Sequence, residues 1–285
     1  MSVNEALLAL ARGDRAEALE SCDRASTDLS RHLADHLRSH PGTGVYVDPA
    51  AFESFISGGS NVALYASTIE ILAASNDRRA LRSLLDIGCG DGRMTAATVP
   101  RSCESVHLLE PSHSMLESAI ARFADTEIEI ESSSTTVQQL LTDRPDTSWD
   151  GVQATFALHN VAAPERHDVF RTLASRTGAL AIVEFDVPAF EDHSVAHAEY
   201  ATATYEAGIA EYRDDPSVIE GFLMPVLVGQ FDPERPRHTY EQPAESWAGE
   251  LVDAGFTDVT TTAVAPFWWA DAVLVEAAGH RPDRT

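Results

Sequence analysis

Apolar residues in the first part of the chain recur at helical spacing. Residues 3–39 hold them every three to four positions, which predicts two short amphipathic helices before a break at Pro41. A further helix is predicted around Phe52, and another in the segment NVALYASTIEILAAS, which begins at Asn61. We expect residues 1–80 to form an N-terminal helical cap.

The pattern changes at Leu81, where short apolar runs start to alternate with helical segments. The runs are LRSLLDI, SVHLLE, TEIEIE, WDGVQATFAL and ALAIVEF, and the helices between them fall at 93–99, 112–123, 135–142 and 164–175. Strands that alternate with helices in this way indicate a parallel sheet covered on both faces. Residues 81–186 are therefore predicted to be the core of the fold.

The chain departs from this alternation after Phe185. About 65 residues precede the segments LVDAGFTDVTTTAVA and FWWADAVLVEA, which predict the end of a helix and two closing strands, and an ordinary crossover is far shorter. We therefore predict an inserted, aromatic-rich lid or substrate subdomain at 187–245, with the last helix and antiparallel strands at 246–285. The expected fold is α/β, with a seven-stranded, mostly parallel, doubly wound sheet.

The charge of the chain limits its partners. Its 45 acidic residues face 20 basic ones, all arginine, for a formal net charge of -25. A protein that binds nucleic acid needs positive charge to neutralise phosphates, so we expect no nucleic-acid substrate. High-salt adaptation and a GC-rich genome's preference for Asp, Glu and Arg would each produce the same acidity, and composition does not separate these two explanations.

Nothing in the sequence predicts a membrane segment or a secretion signal. The chain has no apolar run of bilayer length, and its first residues are acidic where a signal peptide is basic. Three scattered cysteines, Cys22, Cys89 and Cys103, favour neither disulfides nor a cysteine-based metal site. We expect a cytoplasmic protein without membrane contact, and a homodimer remains open.

A glycine-rich loop follows the first predicted strand. Residues 84–95 read LLDIGCGDGRMT, with Asp86 directly before the turn, and glycines there allow a ligand to approach the backbone amides of the next helix. The second strand ends in Glu110, about 20 residues beyond the glycines. At that position a carboxylate can accept hydrogen bonds from ribose hydroxyls.

The form G-x-G-x-G after an acidic residue, followed by Glu110, resembles the cofactor site of class I S-adenosylmethionine-dependent methyltransferases. The resemblance implies that Asp86 orients the loop and the cofactor's ammonium group. It also implies that the methionine part of the cofactor lies against Gly88, Cys89 and Gly90. Pro111 and Met115 then open the next helix, where Met115 either packs on adenine or belongs to the core.

The resemblance extends to the ends of the third and fourth strands. Family members often carry an Asp there that binds the adenine amino group, and the alignment places Ser133 at that position with Ser134 beside it. Thr155 and Phe156, after the fourth strand, would line the cofactor.

Four side chains are candidates for the chemistry of methyl transfer, which needs an aligned nucleophile and a base where that nucleophile loses a proton. His159 is the first, because imidazole titrates near neutrality and ligands bind at the carboxyl ends of strands in open sheets. A structural histidine is an equal alternative. Glu184, with Asp186, could act on an amine or a hydroxyl, or cap the next helix, and Tyr65 could approach the sulfonium or belong to the core.

Two histidine series and one arginine pair are weaker candidates for a binding site. Helical spacing of His32, His36 and His40, and of His193 and His197, would allow metal ligation. A solvated helix face explains the first series better, and although carboxylates lie close to the second in the sequence, no metal is predicted. Arg235 and Arg237 could hold a substrate carboxylate, or lie on the surface.

The sequence thus predicts a methyltransferase that uses S-adenosylmethionine and acts on a small-molecule carbon, nitrogen or oxygen acceptor. Two alternatives remain at this point. One is a methyltransferase acting on protein or RNA, and the other is a non-catalytic protein of the same fold that binds the cofactor.

Overall fold

The computed structural model describes residues 2–40, 48–235 and 239–280. Its α-helices are α1 (Val3–Ala11), α2 (Arg15–Arg24), α3 (Asp28–Ser39), α4 (Pro49–Ser57), α5 (Asn61–Arg79), α6 (Arg93–Thr98), α7 (His113–Ala121), α8 (Val137–Asp143), α9 (Ala163–Ala174), α10 (Val195–Glu211), α11 (Pro216–Val218), α12 (Met224–Gln230) and α13 (Ala244–Asp253). A 3-10 turn spans Leu158–Asn160, and a π-helical turn spans Ile219–Leu223.

Seven strands form one sheet. They are β1 (Ser83–Ile87), β2 (Ser105–Leu109), β3 (Glu129–Ser133), β4 (Trp149–Thr155), β5 (Thr177–Phe185), β6 (Thr257–Ala265) and β7 (Ala272–Ala278). Their order is β3-β2-β1-β4-β5-β7-β6. The first five strands pair in parallel, whereas β7 pairs antiparallel with β5 and β6. The predicted fold class is confirmed.

Both faces of the central strands are covered, as the sequence pattern predicted, whereas the edge strands β3 and β6 are largely exposed. Every residue of β1 is buried, and its neighbouring side chains Leu84 and Leu85 belong to two different apolar clusters. Because successive side chains of a strand point to opposite faces, a strand buried on both faces is mostly apolar. Asp86 and Gln153, two buried polar exceptions in the central strands, are hydrogen-bonded to each other.

The prediction of two helices in residues 3–39 was wrong, because the structure has three. Asp14 accepts a hydrogen bond from the N–H of Glu17 and so starts α2, and Thr27 caps α3 by accepting from the N–H of Ser30. Gly13, with φ of +76°, makes the turn between the first two helices. Side-chain oxygens that satisfy free N–H groups begin helices inside a segment whose apolar spacing alone looks continuous.

Strand β3 also lies later than TEIEIE suggested. Thr126 forms a turn, with its N–H 3.1 Å and its hydroxyl 2.8 Å from the carbonyl of Phe123. The strand then pairs in register with β2, from Glu129 opposite Ser105 to Ser133 opposite Leu109. Ser133 is therefore the last residue of the strand and not part of the following loop.

The chain forms two compact units. One comprises Met1–Ala63, Ala189–His238 and Phe267–Ala270, and the other comprises Leu64–Pro188, Thr239–Pro266 and Asp271–Thr285. The first is helical, with a single apolar core, and the second contains the whole sheet. The four domain ranges drawn from the sequence remain a prediction. In the described segments, no helix combines the length and apolar character needed to cross a membrane.

Candidate active site

The turn after β1 is a tight glycine loop at the carboxyl edge of the sheet. Gly88 and Gly90 have φ of +69° and +56°, in the left-handed region. A Cβ at Gly88 would lie 2.6 Å from the Cβ of Ala157, whereas a Cβ at Gly90 would meet nothing within 4 Å. Gly88 is therefore required by close packing, and Gly90 faces open space where a ligand can lie against the backbone.

Glu110 ties this loop to the start of α7. Its Oε2 accepts from the N–H of Gly90 at 3.1 Å, and its Oε1 accepts from the N–H of Ser112 at 2.8 Å. A carboxylate offers about four acceptor positions, so two remain for ligand hydroxyls. The predicted ribose-binding residue is thus held in place by two elements of the fold.

Asp86 lies beneath the loop and has almost no exposed surface. Its Oδ2 accepts from Thr95 Oγ1 at 2.5 Å and from Gln153 Nε2 at 2.8 Å. Burial raises the pKa of this carboxyl to about 6, against the opposing effect of these two hydrogen bonds. Asp86 therefore fixes β1 to α6 and β4, and its role toward the cofactor ammonium remains a prediction.

Ser133 uses its side chain within the sheet. Its Oγ lies 2.9 Å from Nε2 of His107, a buried residue of β2. Burial lowers the pKa of His107 to about 4, so this imidazole is neutral. The hydroxyl predicted to serve adenine already has a partner, and adenine binding by Ser133 stays a prediction.

The residues that open α7 lie close to Ser134. Its hydroxyl donates to the carbonyl of Pro111 at 3.2 Å. Met115 is 41% exposed, so the core alternative for this methionine is wrong.

Cys89 is buried, and burial is the main reason that its thiol pKa lies above the ordinary value, which argues against a nucleophilic cysteine.

Aromatic side chains gather after β4 and β5. Phe156 has φ of +51° and stacks on Phe185 at a centroid distance of 4.6 Å, and Tyr65 lies 6.4 Å from Phe156. A bulky residue in the left-handed region is strained, and such strain concentrates at functional sites. Beside it, the hydroxyl of Thr155 is buried and has no hydrogen-bond partner among the described residues.

Partly buried His159 pairs with fully buried Glu184. Nδ1 of His159 lies 2.8 Å from Oε2 of Glu184, whose side chain is 0% exposed. Glu184 Oε1 also accepts from the backbone N–H groups of Leu158 at 2.8 Å and His159 at 3.2 Å. Burial opposes protonation of His159, but the charge and hydrogen bond of Glu184 outweigh it and raise the pKa.

Comparison with known proteins decides what this arrangement is. A family model described as a methyltransferase domain matches residues 84–177, which hold the glycine loop, Glu110 and His159. The chain contains a methyltransferase domain of the class I, S-adenosylmethionine-dependent type. The predicted family, enzyme class and cofactor are confirmed.

Solved structures share the fold of this methyltransferase. The apo form of the S-adenosylmethionine-dependent methyltransferase SibL is 19% identical, with a TM-score of 0.54, over 96% of this chain and 76% of its own. An O-methyltransferase family protein from Burkholderia thailandensis is 15% identical, with a TM-score of 0.54, over 95% of this chain and 70% of its own. No curated protein sequence matches the chain.

The residues of the methyltransferase site fit its cofactor. The loop is open at Gly90, Glu110 keeps free acceptor positions, and the hydroxyl of Thr155 is a buried polar group that lacks a partner in the described structure. Buried polar groups are normally hydrogen-bonded, so an unsatisfied one at a binding site is available to a ligand. We therefore expect Gly90, Glu110 and Thr155 to hold S-adenosylmethionine.

Asp186 and Glu184 of the methyltransferase have different partners. Asp186 Oδ1 accepts from the N–H of Ala244, the first residue of α13, at 2.7 Å. The predicted alternative, a cap on the next helix, was wrong, because Ser194 is the N-cap of α10. Glu184 has no exposed surface and contacts the imidazole of His159. Its position suits a residue that orients His159 better than one that contacts an acceptor.

Sequence reasoning missed Arg166, which is fully buried in α9. It forms a bidentate ion pair with Glu250, at 2.8 Å and 2.9 Å, and its guanidinium lies 4.2 Å from the ring centroid of Trp247. The signal was present in the sequence, because Arg166 shares the apolar stripe of α9 with Val169 and Phe170. A buried arginine needs charged and polar partners.

Histidines of both series contact other side chains and the backbone. His193 donates its backbone N–H to Nδ1 of His197 at 3.1 Å, and its Nε2 lies 3.0 Å from the carbonyl of Gln230. His36 and His40 stack at a centroid distance of 4.5 Å. Across the part of the chain that the structure describes, no three His, Cys, Asp or Glu residues are arranged to hold a metal.

The arginine pair is only partly described. Arg235 forms an ion pair with Asp232 at 3.3 Å. Arg237, the second residue predicted to bind a carboxylate, lies outside the described residues.

Proposed function

We propose that this methyltransferase acts on a small molecule and that His159 is the general base that accepts the acceptor's proton. The observation that carries the proposal is the pair of His159 with buried Glu184 beside the cofactor loop. A carboxylate only accepts hydrogen bonds, so Nδ1 of His159 holds the proton, and Nε2 keeps its lone pair and lies 3.3 Å from Nδ2 of Asn160. This is the tautomer that a base requires.

Bound S-adenosylmethionine supplies an electrophilic methyl group on a sulfonium sulfur. An acceptor atom that takes this methyl group would leave the cofactor as its neutral thioether and would have one proton to release. His159 Nε2 takes the acceptor's proton, and the imidazolium formed is stabilised by Glu184, which is 2.8 Å from Nδ1. A pKa raised by the carboxylate strengthens His159 as a base.

The surroundings of His159 favour an uncharged or cationic aromatic acceptor. Phe156, Phe185 and Tyr65 are partly buried aromatic rings at the same carboxyl edge. Glu241 acts on His159 as a further negative charge, and the chain as a whole carries -25. Phosphate-rich polymers are repelled by such a protein, which argues for a small molecule over RNA.

Methyl-labelled cofactor tests the proposal directly. The protein is incubated with S-adenosylmethionine that carries a tritiated methyl group, together with a panel of phenols, aromatic amines and aromatic acids. Parallel samples contain total RNA or total protein. Label in a small-molecule product supports the proposal, whereas label in RNA or protein alone contradicts it.

A variant tests the role of His159. His159→Gln should bind S-adenosylhomocysteine with unchanged affinity in calorimetry but lose about 10²- to 10⁴-fold in kcat, the usual contribution of a general base. The matched control is His113→Gln, an exposed histidine of α7. Full activity of His159→Gln would remove His159 from the chemistry.

A further inference from the structure

A buried arginine holds the short turn that carries His159. Nη1 of Arg166 lies 3.4 Å from the carbonyl oxygen of Leu158 and 3.0 Å from that of Val161. These two carbonyls lie on either side of His159 and Asn160. One guanidinium nitrogen thus contacts the backbone both before and after the candidate base.

The same nitrogen reaches a second segment that contacts His159. Nη1 of Arg166 lies 3.3 Å from the carbonyl oxygen of Tyr240, and the N–H of Tyr240 donates to the carbonyl of His159 at 2.6 Å. The backbone of His159 therefore has two supports that meet at Arg166. The third support is Glu184, which accepts from the N–H of His159 at 3.2 Å.

The guanidinium itself is held rigidly. Its Nε and Nη2 donate to the two carboxylate oxygens of Glu250 in α13, and its face covers the indole of buried Trp247. A bidentate pair fixes the plane of the guanidinium and its angle. Lysine keeps the charge but cannot make this fork.

We propose that Arg166 is a positioning residue for methyl transfer, which fixes the backbone turn Leu158–Asn160 so that the imidazole of His159 points at the acceptor. The proposal rests on the proposed function of His159 as the base. Arg166 contacts no reacting atom, and it acts through the carbonyl oxygens of Leu158, Val161 and Tyr240. A shift of about 1 Å in a catalytic group can cost about 10²-fold in rate.

Two variants separate the effect of the positive charge of Arg166 from the effect of its bidentate hydrogen bonds. Arg166→Lys keeps a positive charge but loses the fork, and it should lower kcat about 10- to 100-fold with unchanged affinity for S-adenosylhomocysteine. The double variant R166M/E250Q removes the buried pair without leaving a lone charge. The matched control is Arg171→Met, a 66% exposed arginine of the same helix, which should keep full activity.

An NMR titration of the complex with S-adenosylhomocysteine measures the pKa of His159 without any acceptor. The charged groups that face His159 are Glu184 in β5, Arg166 in α9 and Glu241 after Tyr240. Arg166 lowers the pKa of His159, so this pKa should rise in R166M/E250Q and stay near the wild-type value in Arg166→Lys. An unchanged pKa of His159 in R166M/E250Q would contradict the placement of Arg166 beside His159.

A double-mutant cycle separates this proposal from the proposed function. If Arg166 acts through His159, Arg166→Lys should cost nothing further in the His159→Gln background. Equal losses in both backgrounds would overturn the positioning role. If His159→Gln is fully active, the base assignment fails, while the NMR titration still reports whether Arg166 holds His159.

The variant Glu250→Gln tests the proposal if Arg166→Lys does not fold. Glu250→Gln leaves the arginine and its carbonyl contacts but removes the charged anchor, so kcat should fall by a smaller factor than in Arg166→Lys. Wild-type kcat in the folded Glu250→Gln protein, with a wild-type pH profile, would overturn the proposal.

Discussion

Glu184 Oε2 lies 2.8 Å from Nδ1 of His159, and the side chain of the glutamate has no exposed surface. Removing the negative charge should lower the pKa of His159, because the carboxylate is what raises it against burial. The base acts only when the imidazole is neutral. The acid limb of the pH profile of kcat/KM therefore moves to lower pH in Glu184→Gln, and kcat falls about 10-fold or more because the tautomer is no longer fixed.

The pH profile of Glu184→Gln is compared with that of Glu129→Gln, which removes an exposed carboxylate of β3. An acid limb of Glu184→Gln that stays in place or moves to higher pH would contradict the pairing of Glu184 with His159.

Alanine substitutions at Gly88 and Gly90 of the cofactor loop should have different effects. Gly88→Ala places a Cβ 2.6 Å from the Cβ of Ala157, so we expect loss of a few kcal/mol of folding stability. Gly90→Ala meets open space but keeps the left-handed φ, which costs about 1–2 kcal/mol. Its methyl group enters the space assigned to the cofactor, so affinity for S-adenosylhomocysteine should fall at least about tenfold.

Urea unfolding and calorimetry separate these two effects. Gly249→Ala is the control, because a Cβ there meets nothing within 4 Å in the middle of α13 and helix propensity should raise stability by about 0.5–1 kcal/mol. Wild-type cofactor affinity in Gly90→Ala would show that the cofactor does not lie on this side of the loop.

Ser133 and Ser134 should differ in stability. Ser133→Ala removes the partner of a buried histidine nitrogen, 2.9 Å away in His107, and should cost about 1–3 kcal/mol of unfolding free energy. Ser134 is exposed, so Ser134→Ala should be nearly neutral in stability. Affinity for S-adenosylmethionine, measured for both variants, then shows which serine serves adenine; a stable Ser133→Ala protein with weakened binding would restore the adenine role of Ser133.

Asp86 makes stability depend on pH. Its pKa is about 6 in the folded protein, against an ordinary value of 3.8, mainly because it is buried. The folded state binds the proton more tightly, so this residue's contribution to stability falls as pH rises from about 4 to about 6. Asp86→Asn does not titrate, and its stability relative to the wild type should rise by up to about 3 kcal/mol between pH 4 and pH 7.

Urea unfolding of both proteins at several pH values between 4 and 7 measures that difference. A difference that is constant across this range would mean that Asp86 has no raised pKa in the folded state. Asp35→Asn, which alters an exposed carboxylate of α3, should show no such trend.

Local sequence determined the fold class, the cofactor loop and the family. Apolar runs alternating with helical segments require a parallel sheet, and the residues from Asp86 to Gly90, with Glu110, lie directly at strand ends. Such features depend on a few neighbouring residues, so the chain itself displays them. Helix caps at Asp14 and Thr27 were equally local, although apolar spacing alone did not reveal them.

Tertiary structure alone decided which side chains meet. Glu184 is 25 positions from His159, and Glu250 is 84 positions from Arg166. Strand order and helix packing bring these groups together, and neither distance can be read from spacing along the chain. The roles of buried polar residues depend on partners that only the folded chain supplies, because a group removed from water must find its hydrogen bonds within the protein.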